Sequence, residues 1–289
     1  MSEMSLIKKA RRVVFQGEPG SFSHLAALEA LPHCEAVAAP TFEDAFTAML
    51  DGTVDLGLIP IENSVHGRIA DIHHLLPDAP IYILGEHFHR VRLQLMAAPG
   101  ATLSSIKTVV SQEPALGQCR NIIREMGLKR QLWADTAGAA RHVAETKDET
   151  LAAVASKLAA EINQLVILKA DVEDADHNVT RFFIMSPDSE TAKSKGQPVI
   201  TTFIFRVRNV PAALYKALGG FATNGVNLTK LESYQLEGSF NATQFFADVN
   251  GHPDEHNVQL ALEELKFFTS SLKILGAYPA HPFRRTLKS

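Results

Sequence analysis

The sequence is poor in cysteine. Cys34 and Cys119 are the two in 289 residues, and they stand far apart. Such sparse, distant thiols exclude a disulfide framework and fit a cytoplasmic location. Long apolar runs are missing as well, so no stretch is expected to span a bilayer. Near the start, Lys8, Lys9, Arg11 and Arg12 are followed by Val13, Val14 and Phe15 and then Gln16. That run is too short for the apolar part of a signal peptide. An excess of one charge is also lacking. With 28 basic and 32 acidic residues the net charge is -4, which gives no reason to expect nucleic acid or a membrane as partner. No glycine loop carries the Lys-Ser/Thr of a phosphate-binding loop; "GEPG" (residues 17–20) has neither. His87 and His89 share one face of a strand, and His73 adjoins His74. No companion Cys, Asp or Glu stands at a metal-ligand spacing, so no metal is expected.

What is present is a globular composition, 46% hydrophobic, in a chain long enough for one or two substantial cores. Up to about residue 185 one pattern repeats: a short apolar run, a polar turn, then a helical period. Strands are expected at residues 13–15, in "VDLGLIPIENS" and in "IKTVVSQEP", each followed by a helix. Alternation of this kind argues for an α/β fold with mainly parallel sheets, whose ligands bind beyond the strands' carboxyl ends. Five such ends deliver a small hydroxyl: Ser23, Ser64, Ser111, Thr136 and Ser156. Each is suited to capping a helix. Together they also suit a small, polar, anionic ligand gathered at several helix N-termini. "PIYILGEHFHRVRLQLMAAP" reads as a long strand crossing between lobes, and "HNVTRFFIM" as the strand on which the chain returns.

Residues 186–198 are polar with proline near both ends and read as a linker. Beyond it, "TTFIFRV" alternates, two helical periods follow, and a turn is expected at Glu237 and Gly238. The order β-α-β-β-α-β is that of a ferredoxin-like module.

The motifs "GEPGSFSHLAA", "IPIENSVHGRI", "VVSQEPALGQC", "AAVASKLAAE" and "NVTRF" resemble the prephenate dehydratase family in order and spacing, and "NGVNLTKLES" resembles the ACT module that often follows. The resemblance covers residues 12–280. It implies a two-lobed, periplasmic-binding-protein-like dehydratase domain over residues 1–189, its lobes formed by 12–86 with 171–187 and by 87–170. A regulatory ACT domain follows over 200–281. It implies a cytoplasmic homodimer or homotetramer that converts prephenate to phenylpyruvate, water and carbon dioxide without a cofactor, with L-phenylalanine as effector. On the matching positions it implies Thr180 and Glu62 as catalytic groups. Ser21, Phe22, Ser23, Asn63, Ser64, Ser111, Gln118, Thr136, Arg181 and Phe182 would bind substrate, Arg181 by pairing with a carboxylate. Ala213, Leu214, Asn224, Asn227 and Leu228 would bind the effector.

The reaction asks for little. Loss of one carboxylate as carbon dioxide pushes electrons into the ring and expels the hydroxyl opposite it, driven by aromatisation. Thr180 suits a hydrogen-bond donor to the departing oxygen. Glu62 suits a true acid if burial keeps it protonated. Either supplies the proton. The same motifs also allow arogenate as substrate, or a sensor that binds without reacting.

Overall fold

The computed structural model describes residues 4–286 apart from 194–195, 209 and 236–241, and all their side chains but those of His73, Ala242 and Thr243. The turn expected at Glu237 and Gly238 lies outside the described residues.

The chain begins with α1 (Ser5–Lys9), β1 (Arg12–Gln16), α2 (Phe22–Ala30), β2 (Glu35–Ala39), α3 (Phe42–Leu50), β3 (Leu56–Asn63), β4 (Gly67–Arg68), α4 (Ile72–Leu75) and β5 (Tyr82–Arg90). It continues with β6 (Gln94–Ala97), β7 (Thr108–Ser111), α5 (Glu113–Gly117), α6 (Arg120–Glu125), β8 (Lys129–Leu132), α7 (Thr136–Thr146), β9 (Leu151–Ala155), α8 (Lys157–Asn163) and β10 (Val166–Lys169). Then β11 (Val179–Ser186) returns to the first sheet, whose order is β2-β1-β3-β11-β5 with β4 on β3. The second sheet runs β10-β6-β9-β7-β8.

Each sheet has a parallel core, β2-β1-β3 in one and β9-β7-β8 in the other. Antiparallel strands extend both. Val13, Val14 and Phe15 are at most 1% exposed, because parallel strands are covered on both faces. β5 stays in the first sheet through Arg90, and the chain crosses to the second over residues 91–93.

The last part contains β12 (Val199–Val207), α9 (Ala213–Thr223), β13 (Leu228–Gln235), β14 (Ala242–Asn250), α10 (His256–Phe268) and β15 (Thr269–Pro279), then a 3-10 turn at Pro282–Arg285. Its antiparallel order β13-β14-β12-β15 is ferredoxin-like. The alternation along β12 divides between two cores. Phe203, Phe205 and Val207 pack with Phe221 of α9 and Leu265 of α10. Ile200 and Ile204 join the core of the first sheet, together with Leu275 and Tyr278 of β15. Contact there is close enough to need glycine: a Cβ on Gly276 would lie 2.1 Å from the Ile83 carbonyl oxygen.

The segment read as a linker is tied down. Glu190 accepts hydrogen bonds from the backbone N–H groups of Ser5 and Leu6, both at 2.7 Å. Ala192 is buried with Val199 and Ala277. Polar composition hid this, because the anchoring groups are mostly backbone.

Candidate active site

A cleft of about 640 Å³ opens between the two lobes, a size ordinary for a small-molecule site. Gln16, Gly17, Glu18, Ser21, Phe22 and Ser23 line one side; Gln112, Asp135, Thr136 and Arg141 line the other. The side chain of Ser21 caps α2 by accepting from the His24 N–H at 3.2 Å. Asp135, not Thr136, caps α7: its Oδ1 accepts from the Gly138 N–H at 2.8 Å. Thr136 is the first helical residue and keeps its place on the cleft wall. The lobes meet at Gly20, whose φ is +91° and where a Cβ would lie 2.9 Å from Ala159 Cα. Ser156 caps α8 and donates its hydroxyl to the Gly20 carbonyl, tying the two lobes together.

Beside the cleft runs a row of neutral dipoles. Asn63 Oδ1 accepts from the N–H groups of Val65 and His66 at 2.9 and 3.0 Å, which fixes the amide orientation. Asn63 Nδ2 therefore donates, at 2.7 Å to Asn178 Oδ1 and at 3.0 Å to Thr180 Oγ1. Asn178 donates onward to Gln118 of the second lobe, and Gln118 lies 2.5 Å from His66 Nε2. Thr180 thus accepts one hydrogen bond, and among the described residues nothing takes its own proton. It faces the same side of the sheet as its partners across the strands, Asn63 and His89. The His89 ring lies 6.1 Å from that of Phe22, which lines the cleft, so this face of the sheet turns toward it, while Asn63 itself lines a second cavity of about 560 Å³ with Glu62 and Arg181.

Successive strand residues face opposite ways. Arg181 therefore points away from Thr180, toward the third sheet, and is 3% exposed. Its Nη1 donates to Glu62 Oε1 at 2.8 Å and Asp248 Oδ2 at 2.6 Å, its Nε to Glu86 Oε2 at 2.8 Å, and its Nη2 to Tyr278 Oη at 3.0 Å. Arg284 adds two bonds to Glu86, at 2.6 and 2.9 Å. Lys230 of β13 reaches Glu62 Oε2 at 2.5 Å and also pairs with Glu232.

A prephenate dehydratase model matches residues 13–190. The chain belongs to the prephenate dehydratase family. The bifunctional N-acyl-homoserine lactone acylase/prephenate dehydratase of Komagataeibacter europaeus is 50% identical over 275 residues, covering 95% of this chain and 98% of that one. Arogenate dehydratase/prephenate dehydratase 1 of Arabidopsis thaliana is 36% identical, covering 93% and 72% respectively. The crystal structure of prephenate dehydratase from Arthrobacter aurescens in complex with L-Phe is 27% identical, with a TM-score of 0.85 and coverage of 93% and 90%.

As a member of this family, the chain parts from several of the residue roles expected above. Arg181 is not placed to clamp a carboxylate in the cleft, since four of its five N–H donors are already taken on the other face. Phe182 does face the cleft side of β11 but is 1% exposed, within the core of the first sheet. The surroundings of Glu62 argue against a protonated acid. Burial works to raise its pKa, but Arg181 and Lys230 overcome that and hold it below the ordinary carboxylate range. Ser111 is fully buried and gives its proton to the Val154 carbonyl at 2.6 Å; its neighbour Gln112 lines the cleft instead. Ser64 spends its hydroxyl on the backbone of the returning strand, donating to His177 O at 2.7 Å and accepting from Val179 N at 2.9 Å.

The expected effector residues divide. Ala213 is buried in the core under α9, with Leu214 and Leu228 packed against it. The Asn224 side chain bonds Gly220 O at 2.8 Å and Glu264 Oε1 at 3.0 Å, while Asn227 is exposed.

Sequence reasoning missed Arg141, the one cation among the described residues lining the cleft. Its guanidinium pairs with Glu18 across the opening, and its side chain remains 51% exposed. The signal was available: an arginine in the second turn of a helix whose start was already assigned to the site.

Proposed function

We propose that this protein converts prephenate to phenylpyruvate, water and carbon dioxide, with the interlobe cleft as the site of reaction. The observation that carries the proposal is Thr180. Its oxygen accepts from a fixed asparagine amide, so its own proton is free for a ligand at the edge of the cleft. Arg141 gives up Glu18 for one substrate carboxylate, and the N-terminal ends of α2 and α7 face the anion. As carbon dioxide leaves, its bonding electrons enter the ring and the opposite hydroxyl departs. Thr180 donates to that oxygen, where negative charge develops, and one proton taken up from the solvent turns the departing hydroxide into water.

The test is purified protein with prephenate at neutral pH, following phenylpyruvate. Product at or below the spontaneous rate defeats the proposal and favours a sensor. The name of the Arabidopsis relative adds arogenate as a substrate, read by phenylalanine formed. The name of the Komagataeibacter relative, at 50% identity, adds a second reading, amide cleavage of N-acyl-homoserine lactones, read by release of the free lactone.

Regulation by phenylalanine through a C-terminal ACT domain is part of the proposal. The ferredoxin-like order and the L-Phe complex of the Arthrobacter relative support it. Ala213 and Leu214 begin α9, whereas Asn224, Asn227 and Leu228 follow its end. An 11-residue helix separates them by about 16 Å, so one phenylalanine cannot touch both sets within one chain. A second copy, in a homodimer or homotetramer, would bring the opposite ends together.

A further inference from the structure

We propose that Glu29, His87 and His89 hold one divalent cation of the zinc class. The proposal stands on geometry apart from the dehydratase reading. His87 and His89 alternate on β5 and so project to one face. Glu29, in the last turn of α2, supplies the carboxylate that the sequence spacing did not offer. One ligand atom from each lies within 4.8 Å of the others, and among the described residues no other three such groups do so.

Two imidazoles and one carboxylate are the donor set that borderline divalent ions take, and three protein ligands leave a fourth position for water. Tetrahedral bonds of about 2.0–2.1 Å set neighbouring ligand atoms about 3.3 Å apart. Glu29 Oε2 is 3.4 Å from His87 Nε2, already at that separation. It is 2.7 Å from His89 Nδ1, a hydrogen bond that must open slightly to admit the ion. Glu29 has room to move, being 46% exposed, whereas His89 is held at 4%. The opening around Glu29 gives the ion an entry path.

A cation here joins two parts of the cleft wall. It ties the end of α2, whose beginning lines the cleft, to β5, where His89 stands opposite Thr180. On the outer side, His87 meets the His281 ring edge-on at 5.8 Å.

The experiment is a titration of the chelator-treated full-length protein with Co2+, followed by visible absorption, then competition with Zn2+. One equivalent per chain is expected, displaced by Zn2+. Affinity falls with falling pH as protons compete for the imidazoles. Glu29→Gln and His87→Ala each weaken binding by at least about tenfold, while His66→Ala, outside the cluster, leaves it unchanged. Circular dichroism confirms that each variant is folded, and His87→Gln replaces His87→Ala should the latter unfold. Absence of saturable binding, or equal affinity in Glu29→Gln, overturns the proposal.

Discussion

The two faces of β11 do opposite work with adjacent residues. On the cleft face, Thr180 belongs to a row of neutral dipoles with Asn63, Asn178 and Gln118. On the other face, Arg181 is enclosed by Glu62, Glu86 and Asp248, whose partners Lys230 and Arg284 complete a network reaching the third sheet and the C-terminal turn. Magnitudes decide which arginine can meet a substrate. The exposed Arg141–Glu18 pair is worth less than about 1 kcal/mol, so a ligand carboxylate exchanges into it easily. Drawing Arg181 out would strand buried carboxylates at a cost of about 3–5 kcal/mol. Charge on one face joins the units; the other carries neutral dipoles, among them the Thr180 hydroxyl whose proton no described residue accepts.

Removing the buried charge is the most damaging test of this division. Arg181→Met takes from Glu86 and Asp248 the more buried of their two shared cations, leaving Arg284, and is expected to cost about 3–5 kcal/mol of stability, read as a lower urea midpoint. Whatever fraction stays folded should keep its affinity for prephenate. Greatly raised KM with undiminished stability would return Arg181 to the cleft. Acid probes the same face. Burial tends to raise the pKa values of Glu62 and Glu86, but Arg181 and Lys230 around the first and Arg284 and Arg181 around the second hold both below 4.5. A depressed folded value stabilises the fold above the unfolded one and loses that contribution as pH falls through the folded value. Stability should therefore drop as the pH falls below about 4.5, and the drop should be smaller in Arg181→Met. An equal acid loss in both proteins would place its origin elsewhere.

The cleft face should answer differently. Thr180→Ala is expected to lower kcat by about 10²–10³-fold with KM and the urea midpoint nearly unchanged, the pattern of a donor used in the transition state alone. Thr180→Ser retains the hydroxyl and should recover much of the rate. Near-normal turnover in Thr180→Ala would remove the residue from the reaction.

How far the sequence revealed this division depends on which physical rule was applied. Hydrophobic periodicity was enough for the alternating strands and helices and for the ferredoxin-like order, because it reports burial directly. The crossing segment was visible as one long strand-like run, which the structure divides into β5 and β6. Motif adjacency misled for Arg181: its neighbour Thr180 lies on the cleft side, and the period of a strand sends the next residue to the other face. Asp248, which receives Arg181, is 67 residues away on β14, and no local pattern announces such a partner. Glu29 escaped notice beside His87 and His89 for the same reason, being brought to them by tertiary packing. Glu62 looked like an acid because burial was foreseen and its two cationic partners were not.

The mildest test concerns the mouth of the cleft. Arg141 pairs there with Glu18 and is the one cation lining the cleft among the described residues, so on the proposed function it is the group that would meet a substrate carboxylate. Arg141→Ala should raise KM for prephenate by about 10- to 100-fold, the worth of a hydrogen bond to a charged group, and leave the urea midpoint within experimental scatter. Glu18→Gln works in the opposite direction. It removes a carboxylate that competes with substrate for Arg141 and lessens repulsion of a dianion, so KM should fall, by no more than about fivefold since the pair it dissolves is exposed. The sign of that change separates two accounts of the pair. A fall in KM means that Glu18 holds the arginine in reserve for the substrate; a rise means that Glu18 fixes the guanidinium in its binding position.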